Sequence, residues 1–248
     1  MDDGIQIVPT PRSPLYRVGR APNPFVPPSW AFVGADGTFG GRFDDPRGRQ
    51  GLSPARRFRT LYLASESVGA FGESIARFRP DLAALAQPSG SPIPSSTSRL
   101  ERPAVSAAWR TVRRLGATVL DPRLAIADIA APETMQALRD ALASVAVSLG
   151  LRDIDVSALT GPERTLTQEV ARYIYEQADP AGEPLYSGIR YLSHYNTGWE
   201  CWAIFADRLV HRVVRVDIIR ATDPGLFDAA RTLNLRIEED GGGRYITP

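Results

Sequence analysis

Residues 60–78 read TLYLASESVGAFGESIARF, and the period of the sequence changes inside them. Thr60-Leu-Tyr-Leu-Ala64 is apolar and aromatic, which predicts a strand. From Glu66 onward, Val68, Phe71, Ile75 and Phe78 return at helical spacing, so one helix face is apolar. Pro80 helps to end that helix. Glu73 falls roughly opposite the apolar face, with Gly69, Gly72 and Ala76 beside it. Each glycine costs a helix about 1 kcal/mol relative to alanine. Either the helix is weak and its glutamate solvated, or something packs closely on that face and meets the carboxylate.

On the amino-terminal side, Leu15-Tyr-Arg-Val18 predicts a short strand after a poorly ordered arm over residues 1–14. Residues 19–59 are rich in Gly, Pro and Arg and carry little periodicity. Loops of that length inside a domain are usually functional or disordered. This one holds Phe39-Gly-Gly-Arg-Phe-Asp-Asp-Pro46. Two glycines admit a close backbone approach, and an arginine offers a planar fork of donors for phosphate or carboxylate. The stretch reads as a surface turn or as an anion-binding loop.

Toward the carboxyl terminus, QPSGSPIPSSTS at 87–98 is a Pro/Ser loop. Residues 106–112 and 117–120 predict two strands joined around Gly116. Residues 134–147 and 165–178 predict amphipathic helices. Residues 186–193 and 200–205 predict neighbouring strands across the turn His194–Gly198, and 212–219 a further strand. Asp223–Arg231 predicts a capped short helix, and GGGRYITP an edge strand or loose end. This mixed order predicts an α+β fold with a mainly antiparallel, strongly bent sheet.

Composition limits the function. The 248 residues are 43% hydrophobic and 23% charged, with a net charge of +1. That suits one soluble domain and gives no electrostatic case for bulk nucleic-acid or anionic-membrane binding. No apolar run reaches the ~18 residues of a membrane span, and no signal peptide is visible. A cytoplasmic location is expected. One cysteine and two histidines do not supply a usual structural zinc site, and no metal is expected. Cys201, within an apolar strand, reads as an inert core thiol.

Taken in order, Tyr16-Arg17-Val18, Gly40-Gly41-Arg42, the Tyr62 strand with Glu73 eleven residues on, Leu166–Tyr175 and Gly188–Ser193 resemble the RES domain over residues 15–206. The resemblance implies an ADP-ribosyltransferase-like fold, a split antiparallel sheet around an NAD cleft. It also implies a toxin that destroys NAD, treated as substrate, and a partner antitoxin of the Xre-like type. The matched positions make Arg17 and Arg42 the arginines of the NAD site, with Gly40 and Gly41 admitting the pyrophosphate. Tyr62, Glu73 and Ser193 match the family's active-site tyrosine, glutamate and serine. Tyr62 would stack on the nicotinamide, and Ser193 would donate to the carboxamide or ribose. Breaking the nicotinamide–ribose bond builds positive charge on the ribose, which a carboxylate stabilises. A Ser193–His194 hydrolase pair is a poor reading, because adjacent strand residues point to opposite faces.

The chain departs from the compact family pattern at 47–59, in the Pro/Ser loop and after residue 206. The domain expectation is therefore a single unit over 15–248 with a carboxyl-terminal extension. A non-catalytic NAD-binding or protein-interaction module on the same fold is the alternative. The acceptor (water, phosphate or protein side chain) and the oligomeric state, a homodimer included, stay open at this level.

Overall fold

The computed structural model describes residues 4–80 and 102–248. The Pro/Ser loop at 87–98 lies outside the described residues. The chain forms an α+β fold around an eight-stranded sheet. In chain order the described strands are β1 (Ile7–Val8), β2 (Leu15–Arg20), β3 (Thr60–Ala64), β4 (Ala104–Val105), β5 (Arg113–Leu120) and β6 (Ile126–Asp128). Then come β7 (Gly188–Leu192), β8 (Glu200–Phe205), β9 (His211–Ile218), β10 (Arg236–Glu238) and β11 (Tyr245–Ile246). The described helices are α1 (Ser67–Ile75), α2 (Ala107–Thr111), α3 (Pro132–Ala141), α4 (Ala143–Ser148), α5 (Val156–Thr160), α6 (Arg164–Glu176) and α7 (Pro224–Leu233).

The large sheet runs β1-β6-β7-β8-β3-β2-β5-β9. Its pairs are antiparallel except β6–β7. The turn at 194–198 joins β7 and β8 as antiparallel neighbours, with Ile189 opposite Ala203. A small second sheet has the order β11-β10-β4.

The switch of period at residue 65 is realised. Thr60–Ala64 forms the strand, and α1 begins two residues later at Ser67. Alternation sends Leu63, Trp202 and Ile204 into one cluster with Leu15 and Leu120 and sends Ala64, Ala203 and Phe205 into another beneath α6. On α1, Phe71 and Ile75 are fully buried against α7 and Val105. Burying such side chains is worth roughly 1.5–3 kcal/mol each. This offsets the two glycines and fixes the helix over the sheet.

Several expectations change. Residues 106–112 form α2 rather than a strand, because the Ser106 hydroxyl accepts from the Trp109 amide and caps a helix. Gly116 is no joint. It sits inside β5, opposite both Arg17 and Val216, and the Phe25 ring covers it where a Cβ would be only 2.5 Å away. The amino-terminal arm is docked in part: β1 pairs with β6, the Gln6 amide donates to Thr134 Oγ1, and Ile5 is buried. The chain after residue 206 is no appendage either. It contributes β9 to the main sheet and α7 to the packing of α1, with Asp223 capping α7 at Gly225 and Leu226.

Candidate functional site

The residues that converge lie where β2 and β3 meet α1, the 40–42 loop, the start of α6 and the turn after β7. They line one cleft of about 290 Å³. Arg17, Gly40, Gly41, Arg42, Tyr62 and Glu73 all face it. Residues 17, 42, 62 and 73 are thus gathered into a single pocket.

Glu73 supplies the acid. Its Oε1 accepts from Ser193 Oγ at 2.5 Å. Burial pushes its pKa above the ordinary carboxyl range, while Ser193, Arg42, His194 and Arg164 pull it back toward the charged form. Ser193 itself is fully buried and does not line the wall. It donates to Glu73 and accepts from the Tyr195 amide at 3.1 Å. The expected donation from Ser193 to a ligand is therefore replaced by a positioning contact. A hydroxyl enclosed beside a carboxylate satisfies that carboxylate first.

The α1 glycines explain how Glu73 comes to its place. A Cβ at Gly72 would stand 2.1 Å from Trp199 Cζ3, and one at Gly69 3.3 Å from Trp199 Cβ. Trp199 packs on this face, and its carbonyl accepts from the Ser193 amide at 3.0 Å. One aromatic residue thus sets both the height of the helix and the position of the serine.

Tyr62 is held by its hydroxyl, which accepts from the Phe43 amide at 2.9 Å and donates to Asp44 Oδ1 at 3.1 Å. Burial, reinforced by the Asp44 charge, keeps this phenol well above its usual range. Asp44 also takes the Gly41 amide at 2.5 Å, and burial raises its pKa. A Cβ at Gly41 would meet Asp44 Oδ1 and the Tyr62 hydroxyl at 2.5 Å, so the second glycine is required by this knot. The first sits at φ 77°, in the left-handed region that suits glycine.

The arginines differ in how far they are built in. Arg17 donates from Nε to the Pro24 carbonyl at 2.7 Å and from Nη1 to the Tyr62 carbonyl at 2.9 Å. Burial lowers its pKa to about 10. Arg42 donates from Nη1 to the Gly161 carbonyl at 2.7 Å and to the Leu159 carbonyl at 3.3 Å, just past α5 and at its end. Burial lowers its pKa, opposed by Tyr191 and Glu73.

Sequence reasoning missed Arg164, Tyr191, His194 and Tyr195, which also line the cleft. Arg164 Nη1 donates to the Gly40 carbonyl, and His194 Nδ1 contacts the Thr160 carbonyl. Only the helix start at 165 and the turn at 194 hinted at them. Cys201 is buried, and burial pushes its thiol upward, as expected for a core thiol. The enlarged 47–59 segment packs elsewhere and lines no part of the cleft. Arg47 pairs with Asp45 and Glu176, and Arg57 lies over Trp30.

Among the described residues, no group of three or more His, Cys, Asp and Glu side chains is placed to hold a metal ion. No described helix is long and apolar enough to cross a membrane.

No curated protein sequence matches the chain. Among solved structures, a chain of the M. tuberculosis MbcT–MbcA toxin–antitoxin complex aligns with 86% of this chain and 87% of its own length. The identity is 15% and the TM-score 0.47. The family model described as the RES domain matches residues 14–224, from just before β2 to the first residue of α7, and the chain belongs to that family.

Proposed function

We propose that this RES-domain protein consumes NAD by breaking the nicotinamide–ribose bond, as the toxin of a toxin–antitoxin pair. The observation that carries the reading is the Glu73 carboxylate, held by Ser193 in a cleft also faced by Arg17 and Arg42. The two arginines engage Pro24, Tyr62, Leu159 and Gly161 through Nε and Nη1. Each keeps an Nη2 with no hydrogen bond among the described residues, which suits a diphosphate.

In the reaction the electron pair of the glycosidic C–N bond passes to the pyridinium ring, and nicotinamide leaves neutral. No strong general acid is needed. Positive charge develops at the ribose anomeric carbon, where an enclosed carboxylate acts more strongly than in water, and it is discharged when an oxygen of the acceptor, water or phosphate, bonds to that carbon and gives up any surplus proton to solvent. Ser193 occupies Oε1 and so fixes the rotamer of Glu73. Tyr62, with its hydroxyl tied to Asp44, offers its ring rather than its oxygen to the nicotinamide. Family membership supports an Xre-like antitoxin as partner, and an NAD substrate suits the cytoplasm.

The test is to incubate purified protein with NAD, with and without phosphate, and to follow nicotinamide release beside Glu73→Ala. Phosphate-dependent release would identify phosphorolysis. Release no faster than that of the alanine variant would remove the enzymatic reading. Tight calorimetric binding without turnover would leave a binding module instead.

A further inference from the structure

We infer that the mouth of the cleft carries an anion subsite built on Arg164, which exchanges the Gly40 carbonyl for a phosphate oxygen of the ligand. This rests on reading the cleft as an NAD site. It adds a residue that no motif had marked.

The three guanidinium groups of the cleft differ in their commitments. Arg17 is tied to two carbonyls, Pro24 and Tyr62, and works as part of the wall. Arg42 Nη1 is shared between the Leu159 and Gly161 carbonyls. Arg164 is exposed and lines the cleft. Among the described residues it makes one hydrogen bond, from Nη1 to Gly40 O, and no ion pair within 4 Å. Its charge acts on the Glu73, Asp44, Tyr62 and Arg42 groups. It is therefore an exposed cation with a single hydrogen bond, facing the same space as the Glu73 carboxylate.

Its resting partner is a neutral carbonyl. A phosphate oxygen is the stronger acceptor, because it adds the full attraction between opposite charges and the fork geometry of a guanidinium–phosphate pair to a bond whose donor is already charged. The exchange leaves little behind. The Gly40 carbonyl stands beside the Gly41 carbonyl, which keeps its own donor from Gln168 Nε2 at 2.8 Å, and the Gly41 amide stays on Asp44. Released at an exposed loop, the Gly40 oxygen turns to water. The loop therefore keeps its shape while Arg164 changes partner. Arg164 would bind phosphate without taking part in bond breaking.

The test compares wild type with Arg164→Ala and Arg164→Lys on NAD. Loss of one charge-assisted bond should raise KM for NAD about ten- to hundredfold in the alanine variant, with kcat held within about twofold. The lysine variant should recover most of the loss, and raised salt should weaken wild type more than Arg164→Ala. A fall in kcat at unchanged KM, or no change in either, would overturn the subsite and leave Arg164 a loop prop or a bystander. If wild type binds NAD without turning it over, the same ratio is read as Kd; the subsite then survives while the cleavage reading fails. If wild type neither binds nor cleaves NAD, both are lost.

Discussion

Gly72→Ala should destabilise the protein although it improves the helix. The magnitude follows from the contact with Trp199. The added Cβ would lie 2.1 Å from Cζ3, 2.4 Å from Cη2 and 2.7 Å from Cε3. All three atoms belong to a rigid indole, so the ring must retreat by more than an ångström or α1 must lift. Neither is cheap. Trp199 is 6% exposed, its amide donates to Asn196 O, and its carbonyl holds the Ser193 amide. Overpacking of this kind costs roughly 1–3 kcal/mol. Replacing glycine by alanine within a helix returns about 1 kcal/mol. Three contacts below 3 Å to a rigid ring put the clash in the upper part of the overpacking range, about 2–3 kcal/mol, so the net loss should be about 1–2 kcal/mol in urea unfolding.

Gly69→Ala is the internal control. It gains the same helix propensity, but its Cβ would meet Ala64 Cβ at 3.2 Å and Trp199 Cβ at 3.3 Å, which a few tenths of an ångström relieve. It should unfold at least about 1 kcal/mol later than Gly72→Ala. Gly72→Ala should also slow nicotinamide release beyond its unfolded fraction, since the displaced tryptophan pulls on Ser193 and so on Glu73. A Gly72→Ala protein as stable as wild type would refute the reasoning: the indole would then move without resistance, and the glycine would need another explanation.

Glu73→Gln should stabilise the protein at neutral pH while abolishing nicotinamide release. Burial holds the folded pKa above the ordinary 4.5, so the folded state binds the extra proton. Wild-type stability is then lost as pH rises from 4.5 through the folded value, and the gap to Glu73→Gln in thermal melts should open over that window and stay constant above it. Ser193→Ala removes a donor that favours the Glu73 carboxylate; the acid limb of the rate profile should move to higher pH, and an unmoved limb would deny the positioning role. Tyr62→Phe strips Asp44 and the Phe43 amide of a partner and should cost about 1–3 kcal/mol in urea unfolding. It should leave KM for NAD nearly unchanged if the ring face is what the ligand meets.

The parts of this molecule legible in its sequence are those whose cause is local. Phe71 and Ile75 announce their helix because helical spacing puts them on one face whatever that face packs against, and Thr60–Ala64 reads as a nearly unbroken apolar run because both faces of its sheet are covered. The 106–112 run misleads for the opposite reason. Its apolar residues fit a strand as well as a helix, and the Ser106 cap outweighs the rest. The glycines of α1 left open whether the helix is merely weak or something packs there. The packing residue could not be read, because Trp199 arrives from the far side of a hairpin more than a hundred residues away. Ser193 shows the same limit in chemistry. The family resemblance implied a contact to ligand, but a buried hydroxyl beside a buried carboxylate has its partner chosen by desolvation, and that depends on which strand lies next to which helix. Arg164 is the extreme case. Among the 29 Lys and Arg residues, an exposed arginine opening a helix has no distinguishing local pattern, and only the placement of the Gly40 carbonyl opposite it gives that charge a cleft to serve.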